Sequence, residues 1–321
     1  LSVPAGADMK TKSVGIVGAG NVGVAGAYAI YLQQLCSEII LVDLDKVRAE
    51  GEALDLMHGQ GITGRVKVKA GEYEDLAQCD VIIITAGAAQ KPGETRLDLL
   101  NKNAAIFKSI TAELDQHAPN AIVVIASNPV DIVTYIFQEL SCRPNCKVIG
   151  TGTVLDTSRL KSLLVEHYDV DPASIHGYIL GEHGDSEFAA WSTIIIGGVP
   201  GVGNEVLGVA YDQQDIDGLY EQVKNAAYKI IAGKGYTNWA IGVVIAKLVS
   251  ILLSDRASVQ PISVRLTGEY GIHDVCISVP AKIGIKGVEQ IVELNLSKDE
   301  LKKLRFSAEV LKKNIAGISL S

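Results

Sequence analysis

Two short stretches carry the reactive side chains of this sequence. LDTSR at residues 155–159 supplies the carboxylate of Asp156 and the guanidinium of Arg159, and GEHGD at residues 181–185 supplies the imidazole of His183. An imidazole titrating near neutrality can hand a proton to an oxygen or take one back. A carboxylate against the ring orients it and stabilises the imidazolium, while a guanidinium fork grips a second carboxylate with two parallel hydrogen bonds. Each residue also has an ordinary reading. His183 could be a hydrogen-bonded structural histidine, Asp156 a helix N-cap, and Arg159 one half of a surface ion pair. Gly181 and Gly184 beside His183 favour an accessible ring, because glycine permits close backbone approach.

Upstream, GAGNVG at residues 18–23 follows a β-rich run and opens a helical one, and Asp43 closes the next β-rich run. Gly18, Gly20 and Gly23 would let a pyrophosphate reach the backbone at a helix N-terminus. Asp43 stands where a carboxylate accepts hydrogen bonds from ribose hydroxyls and repels a 2′-phosphate, so NAD is expected over NADP. A hydride carrier beside a proton carrier and a carboxylate grip is the set that interconverts 2-hydroxy and 2-oxo acids.

The elements that must position these groups follow from periodicity. Nearly all-apolar runs at residues 14–17, 39–43, 66–69, 81–85, 122–125 and 148–149 read as strands buried on both faces, with helical patterns between them. The expected fold is α/β: a doubly wound parallel-sheet NAD-binding (Rossmann) domain over residues 9–150, then an α+β substrate domain over residues 151–321. In the second half, residues 157–168 and 215–231 read as helices and residues 240–253 as a buried helix. Residues 175–180 and 193–196 read as strands, 262–266 and 276–279 as an antiparallel pair, and 298–313 as a charged final helix. Loops at residues 86–96 and 127–129 follow the fourth and fifth strands, and so converge on the sheet edge where ligands bind.

A chain of 321 residues that is 48% hydrophobic has ample core for two domains. Its net charge of −8 argues against nucleic acid as a partner. No apolar stretch reaches membrane-spanning length, and residues 1–10 read as a flexible arm without a secretory pattern. Five scattered cysteines fit a reducing compartment, so the cytoplasm is expected. Cys142 and Cys146, without a second pair or a nearby histidine, give only a weak zinc signal, and no metal is expected.

Taken together, the motifs resemble the lactate/malate dehydrogenase family, its bacterial lactate branch above all. The resemblance spans nearly the whole chain and is carried by GAGNVG, VDLD, AGAAQKPGETR, ASNPVD, LDTSR, GEHGD and YTNW at residues 236–239. It implies that His183, paired with Asp156, exchanges the proton, that Arg159 binds the substrate carboxylate, and that Arg96 polarises the carbonyl from a closing loop. It further implies that Asn128 contacts substrate and nicotinamide, and that Thr237 lines the substrate pocket. Val22, Asp43, Arg48, Tyr73, Gly87, Ala88, Ser109, Ala126, Ser127 and Thr151 match cofactor-lining positions. Gln90 stands where the family's malate enzymes carry arginine, so a small neutral substituent such as the methyl of pyruvate is favoured.

The implied reaction is reversible hydride transfer between NADH and pyruvate, giving L-lactate. A malate or broader 2-hydroxy-acid dehydrogenase and a non-catalytic NAD sensor are the alternatives. A homotetramer is implied too. Lys161 and His176 match an arginine and a histidine that bind fructose 1,6-bisphosphate in activated relatives, and lysine lacks the fork that grips phosphate, so the effector is expected to act weakly.

Overall fold

The computed structural model describes residues 12–88 and 96–318. The expected N-terminal arm and the Gln90 position fall outside these residues, as does the side chain of Arg96. Six parallel strands form the first half: β1 (Ser13–Val17), β2 (Glu38–Val42), β3 (Lys67–Ala70), β4 (Val81–Ile84), β5 (Ile122–Ile125) and β6 (Val148–Gly150). Between them run α1 (Asn21–Leu32), α2 (Lys46–His58), α3 (Gln60–Thr63), α4 (Arg96–His117) and α5 (Val130–Leu140). The spatial order is β3-β2-β1-β4-β5-β6, in which the direction of winding reverses between β1 and β4. That reversal opens a crevice at the carboxyl ends of those two strands.

Continuous apolar runs became strands because both faces are covered. Ile39, Leu41, Ile82, Ile83 and Val124 are fully buried, and each such side chain contributes about 1.5–3 kcal/mol by leaving water.

The second half holds α6 (Val154–Tyr168), β7 (Ile175–His176), β8 (Ile179–Leu180), β9 (Phe188–Ala189), β10 (Ile195–Ile196), β11 (Val199–Pro200), α7 (Gln213–Lys234), α8 (Trp239–Leu253), β12 (Ser258–Thr267), β13 (His273–Gly284), β14 (Gly287–Ile291) and α9 (Lys298–Ala316). The antiparallel pair expected from sequence exists as β12 and β13, but it does not stand apart. Ser263 of β12 pairs with Gly150 of β6, so β12, β13 and β14 extend the first sheet to nine strands. The single strand expected over residues 175–180 breaks into β7 and β8, which join different small sheets. Gly177 makes the break. It has φ +159, and a Cβ there would stand 2.5 Å from Ile194. The strand expected over residues 193–196 starts late: residues 191–193 form a 3-10 turn, and β10 begins at Ile195.

Helix α6 starts at Val154, three residues before the expected boundary, so Asp156 lies inside its first turn and Thr153 takes the N-cap position. The N-cap reading of Asp156 is thereby excluded. Helix α8 is apolar as expected, with Val244, Ile245, Leu248, Val249 and Leu252 buried. Among the described residues no helix is long and apolar enough to cross a membrane, and all five cysteines are free.

Candidate active site

Asp156 lies near the start of α6, where its carboxylate meets two cations. His183 Nδ1 is 2.7 Å from Oδ2, and Arg159 Nη1 donates to Oδ1 at 2.7 Å. The three side chains sequence reasoning singled out therefore share one carboxylate. The Asp156 side chain is 4% exposed, against 26% for the His183 ring. With Nδ1 held by Asp156, Nε2 is the ring nitrogen left to exchange a proton.

The electrostatics follow from this packing. Burial pushes the His183 ring down, but the Asp156 charge and hydrogen bond outweigh it. With smaller help from Glu187 and Asp131, the imidazole is raised to about 9. Burial likewise pushes the Asp156 carboxyl up, and His183 and Arg159 more than reverse that, so it stays below the usual carboxylate range. At neutral pH the pair stands as carboxylate and imidazolium, the state that donates a proton.

The loop carrying His183 is pinned at three successive N–H groups, each by a different element. Gly181 donates to the Ser278 carbonyl of β13 at 3.0 Å. Glu182 donates to the Ser307 hydroxyl of α9 at 2.7 Å, and His183 to the Asp131 carboxylate of α5 at 2.8 Å. Asp131 is 2% exposed, and burial pushes its carboxyl up to about 6 against the opposing pull of Ser263 and the His183 N–H. Sequence reasoning missed this residue as a site component. The available signal was a lone acid inside the apolar run VDIVTYIF.

A cavity of about 340 Å³ lies between α6, the His183 loop and α7, and Asp156, Arg159, His183 and Glu187 line it together with Lys224 and Tyr228. Glu187, Lys224 and Tyr228 were also missed. For Glu187 the hint was an acid four residues after His183 and directly before the apolar Phe-Ala-Ala.

At the carboxyl edge of the sheet, the glycine turn is shut on the protein side and open on the other. A Cβ on Gly18 would lie 2.6 Å from the Ala86 nitrogen, and one on Gly23 would lie 1.9 Å from the Gly18 oxygen. A Cβ on Gly20 would meet nothing within 4 Å. Gly20 caps α1 without a side-chain hydrogen bond, which leaves the first-turn N–H groups and the helix dipole for an anion. These residues fit a dinucleotide pyrophosphate.

Asp43 follows β2, and its carboxylate accepts from the Ala19 N–H at 2.6 Å and the Asp45 N–H at 2.9 Å. The Ser127 hydroxyl donates to the Ala86 carbonyl at 2.6 Å, and the Ala88 N–H donates to Asn103 Oδ1 at 2.9 Å. Ala86, Gly87, Ala88, Ala126, Ser127 and Asn128 thus gather past the ends of β4 and β5. Thr151 follows β6 and is buried.

Other anticipated residues are more dispersed. The Arg48 side chain is exposed and lies 3.7 Å from Glu52 along α2. Tyr73 is half-buried, and burial raises its hydroxyl to about 12. Val22 is half-buried in the first turn of α1, and Ser109 is exposed on α4. Thr237 lies between α7 and α8 and is not among the residues lining the His183 cavity. Lys161 and His176 line a separate cavity of about 480 Å³, which Lys247 also borders.

Against known families, the lactate/malate dehydrogenase NAD binding domain matches residues 12–150, and the alpha/beta C-terminal domain of the same family matches residues 153–319. The chain belongs to the lactate/malate dehydrogenase family. It is therefore an NAD-dependent dehydrogenase, with NAD as its cofactor. Among family members, an L-lactate dehydrogenase of Salinibacter ruber is 51% identical over 313 residues, covering 97% of this chain and 99% of that protein. L-lactate dehydrogenase 1 of Clostridium acetobutylicum is 46% identical over 312 residues, with 96% and 99% covered. The crystal structure of a minor L-lactate dehydrogenase from Enterococcus mundtii, in a ligands-bound form, superposes with a TM-score of 0.94 at 41% identity, covering 97% of this chain and 99% of that one.

Proposed function

We propose that this dehydrogenase reduces pyruvate to L-lactate and runs the reverse oxidation, with residues 9–150 holding the cofactor and residues 151–321 the substrate. The observation that carries the reading is Asp156 joined at once to the His183 ring and the Arg159 guanidinium in one cavity. A proton donor and a carboxylate grip at fixed separation suit a substrate whose carboxylate and reacting oxygen sit on neighbouring carbons. In this assignment Arg159 turns its second guanidinium edge to the substrate carboxylate, and protonated His183 gives its Nε2 proton to the carbonyl oxygen. Bound NADH supplies the hydride. Asn128 and Thr151 serve the nicotinamide end; Gly18, Gly20, Val22 and Gly23 the pyrophosphate; Asp43, Arg48, Tyr73, Gly87, Ala88, Ser109, Ala126 and Ser127 line the remainder. Arg96, at the start of α4, polarises the carbonyl, and Thr237 packs near the substrate methyl.

Choice of substrate rests on Gln90. A neutral amide leaves the second carboxylate of oxaloacetate buried without a counter-charge, at a cost of several kcal/mol. Steady-state kcat/KM is expected to favour pyruvate over oxaloacetate by about a hundredfold or more. Equal values, or a preference for oxaloacetate, would make this a malate-type enzyme instead.

The same reading places the chain in the cytoplasm as a homotetramer. The exposed apolar side chains of Ile231, Tyr236, Trp239 and Val243, at and around the α7–α8 junction, support self-association. At the Lys161 and His176 cavity, fructose 1,6-bisphosphate meets an ammonium rather than a guanidinium fork. Half-saturating pyruvate is expected to shift by no more than about twofold when the effector is added. A sharp fall would show full activation.

A further inference from the structure

We propose that Glu187 couples binding of the substrate anion to uptake of a proton: its carboxyl is neutral while the anion rests on Arg159, and its ionised form weakens that anion's hold. The inference rests on the 2-oxo-acid reduction proposed above. It concerns a residue outside the proton-transfer pair.

The geometry sets Glu187 apart from the other acids of the site. Its carboxylate oxygens, the Asp156 carboxylate and the His183 ring nitrogens include atoms lying within 4.8 Å of one another. Glu187 is 8% exposed, yet among the described residues its carboxyl takes part in no hydrogen bond or ion pair. Both nearby cations that line the cavity from the helices are already committed. Arg159 donates to Asp156, and Lys224 of α7 lies 3.5 Å from Glu221. Asp156 in turn has one oxygen on Arg159 and the other on His183. A buried carboxylate without donors is driven toward its neutral form. The titratable groups sharing the cavity are Asp156 and Arg159 from α6, His183 and Asp185 from its own loop, and Glu221, Lys224 and Tyr228 from α7. The Tyr220 hydroxyl of α7 donates to the Glu187 backbone carbonyl.

Burial, and next the Asp156 charge, push the Glu187 carboxyl up to about 8, against the opposing pull of His183, Arg159 and Lys224. With Glu187 neutral and His183 protonated, Asp156, Arg159 and His183 leave one net positive charge, which a monoanionic substrate neutralises. Once Glu187 ionises, the same anion enters a cluster that is already neutral. Anion binding and Glu187 protonation therefore favour each other, and by linkage the anion draws a proton from solvent as it binds.

Steady-state KM for pyruvate at saturating NADH, measured between pH 6.5 and 10 on the wild-type chain, Glu187→Gln and Glu187→Asp, tests this. In the wild type KM is expected to climb in two steps, the first of about tenfold centred near pH 8 and the second as His183 loses its proton near pH 9. Glu187→Gln should lack the first step, and Glu187→Asp should keep it. A single step in the wild type, or two steps in Glu187→Gln, overturns the proposal. A glutamine variant that fails to fold leaves the wild-type profile to decide. Calorimetry of oxamate, an unreactive isostere of pyruvate, binding to the NADH complex at pH 8 in buffers of different ionisation enthalpy gives a second readout. The wild type should take up roughly half a proton more than Glu187→Gln, and equal uptake overturns the coupling. A wild-type chain that binds oxamate but turns over no 2-oxo acid would refute the proposed function and leave the calorimetric comparison to judge Glu187 separately.

Discussion

Replacing His183 by Asn is expected to slow single-turnover reduction of pyruvate by about three to four orders of magnitude at saturating NADH. Asparagine is close to the imidazole in length and can still donate an amide hydrogen to Asp156, so the buried carboxylate keeps a partner. It has no proton to release at neutral pH. The loss should therefore fall on the chemical step, while NADH affinity, set some distance away at the glycine turn, stays within about threefold. The wild-type pH profile supplies an independent mark. Because the ring is raised to about 9, it is protonated across the neutral range, and at saturating pyruvate the rate of reduction should hold until the pH rises through that value. Lactate oxidation needs the neutral ring and should gain over the same interval. In His183→Asn both limbs should flatten. Single-turnover rates close to the wild type would remove His183 from the proton transfer.

The first half of the fold was legible because its strands, apart from edge strand β3 with Lys67 and Lys69 in water, are covered on both faces. Burial on two sides demands unbroken apolar sequence, and Ile39, Ile82 and Val124 meet that demand with no exposed surface. Legibility falls where one face meets water or where pairing is settled far along the chain. Strand β14, GVEQI, was not anticipated, since its polar residues occupy the outer edge of the extended sheet. The junction of β6 with β12 joins residues 113 positions apart, Gly150 and Ser263, and no local pattern marks it. The early start of α6 was hidden as well, because Thr153 forms no capping hydrogen bond and Val154-Leu155 reads as well in a strand as in a helix. The reactive trio was legible from residue type and motif. Asp131 and Glu187 were not, because their part depends on burial, and a carboxylate on the chain carries no sign of whether water will reach it.

Replacing Arg159 by Leu should lower kcat/KM for pyruvate by about a thousandfold or more, since a charge-assisted contact made to a desolvated anion is lost. Arg159 has two tasks in this geometry, and they separate experimentally. As the grip on the substrate, its removal raises KM and weakens binding of any 2-oxo acid. As the partner of Asp156 Oδ1, its removal deprives a 4% exposed carboxylate of one of its two cations, which favours the protonated carboxyl and loosens the hold on the His183 ring. That second effect would appear as a displaced pH profile. Arg159→Lys keeps a positive charge near Asp156 but cannot present two parallel N–H groups to a substrate carboxylate. If the substrate contact dominates, the lysine variant should retain the wild-type pH profile while its KM lies between those of the wild type and the leucine variant. A lysine variant with normal KM and a shifted profile would instead make Arg159 a support for Asp156, and the carboxylate grip would have to be sought elsewhere in the cavity, where Lys224 is a further cation in the lining.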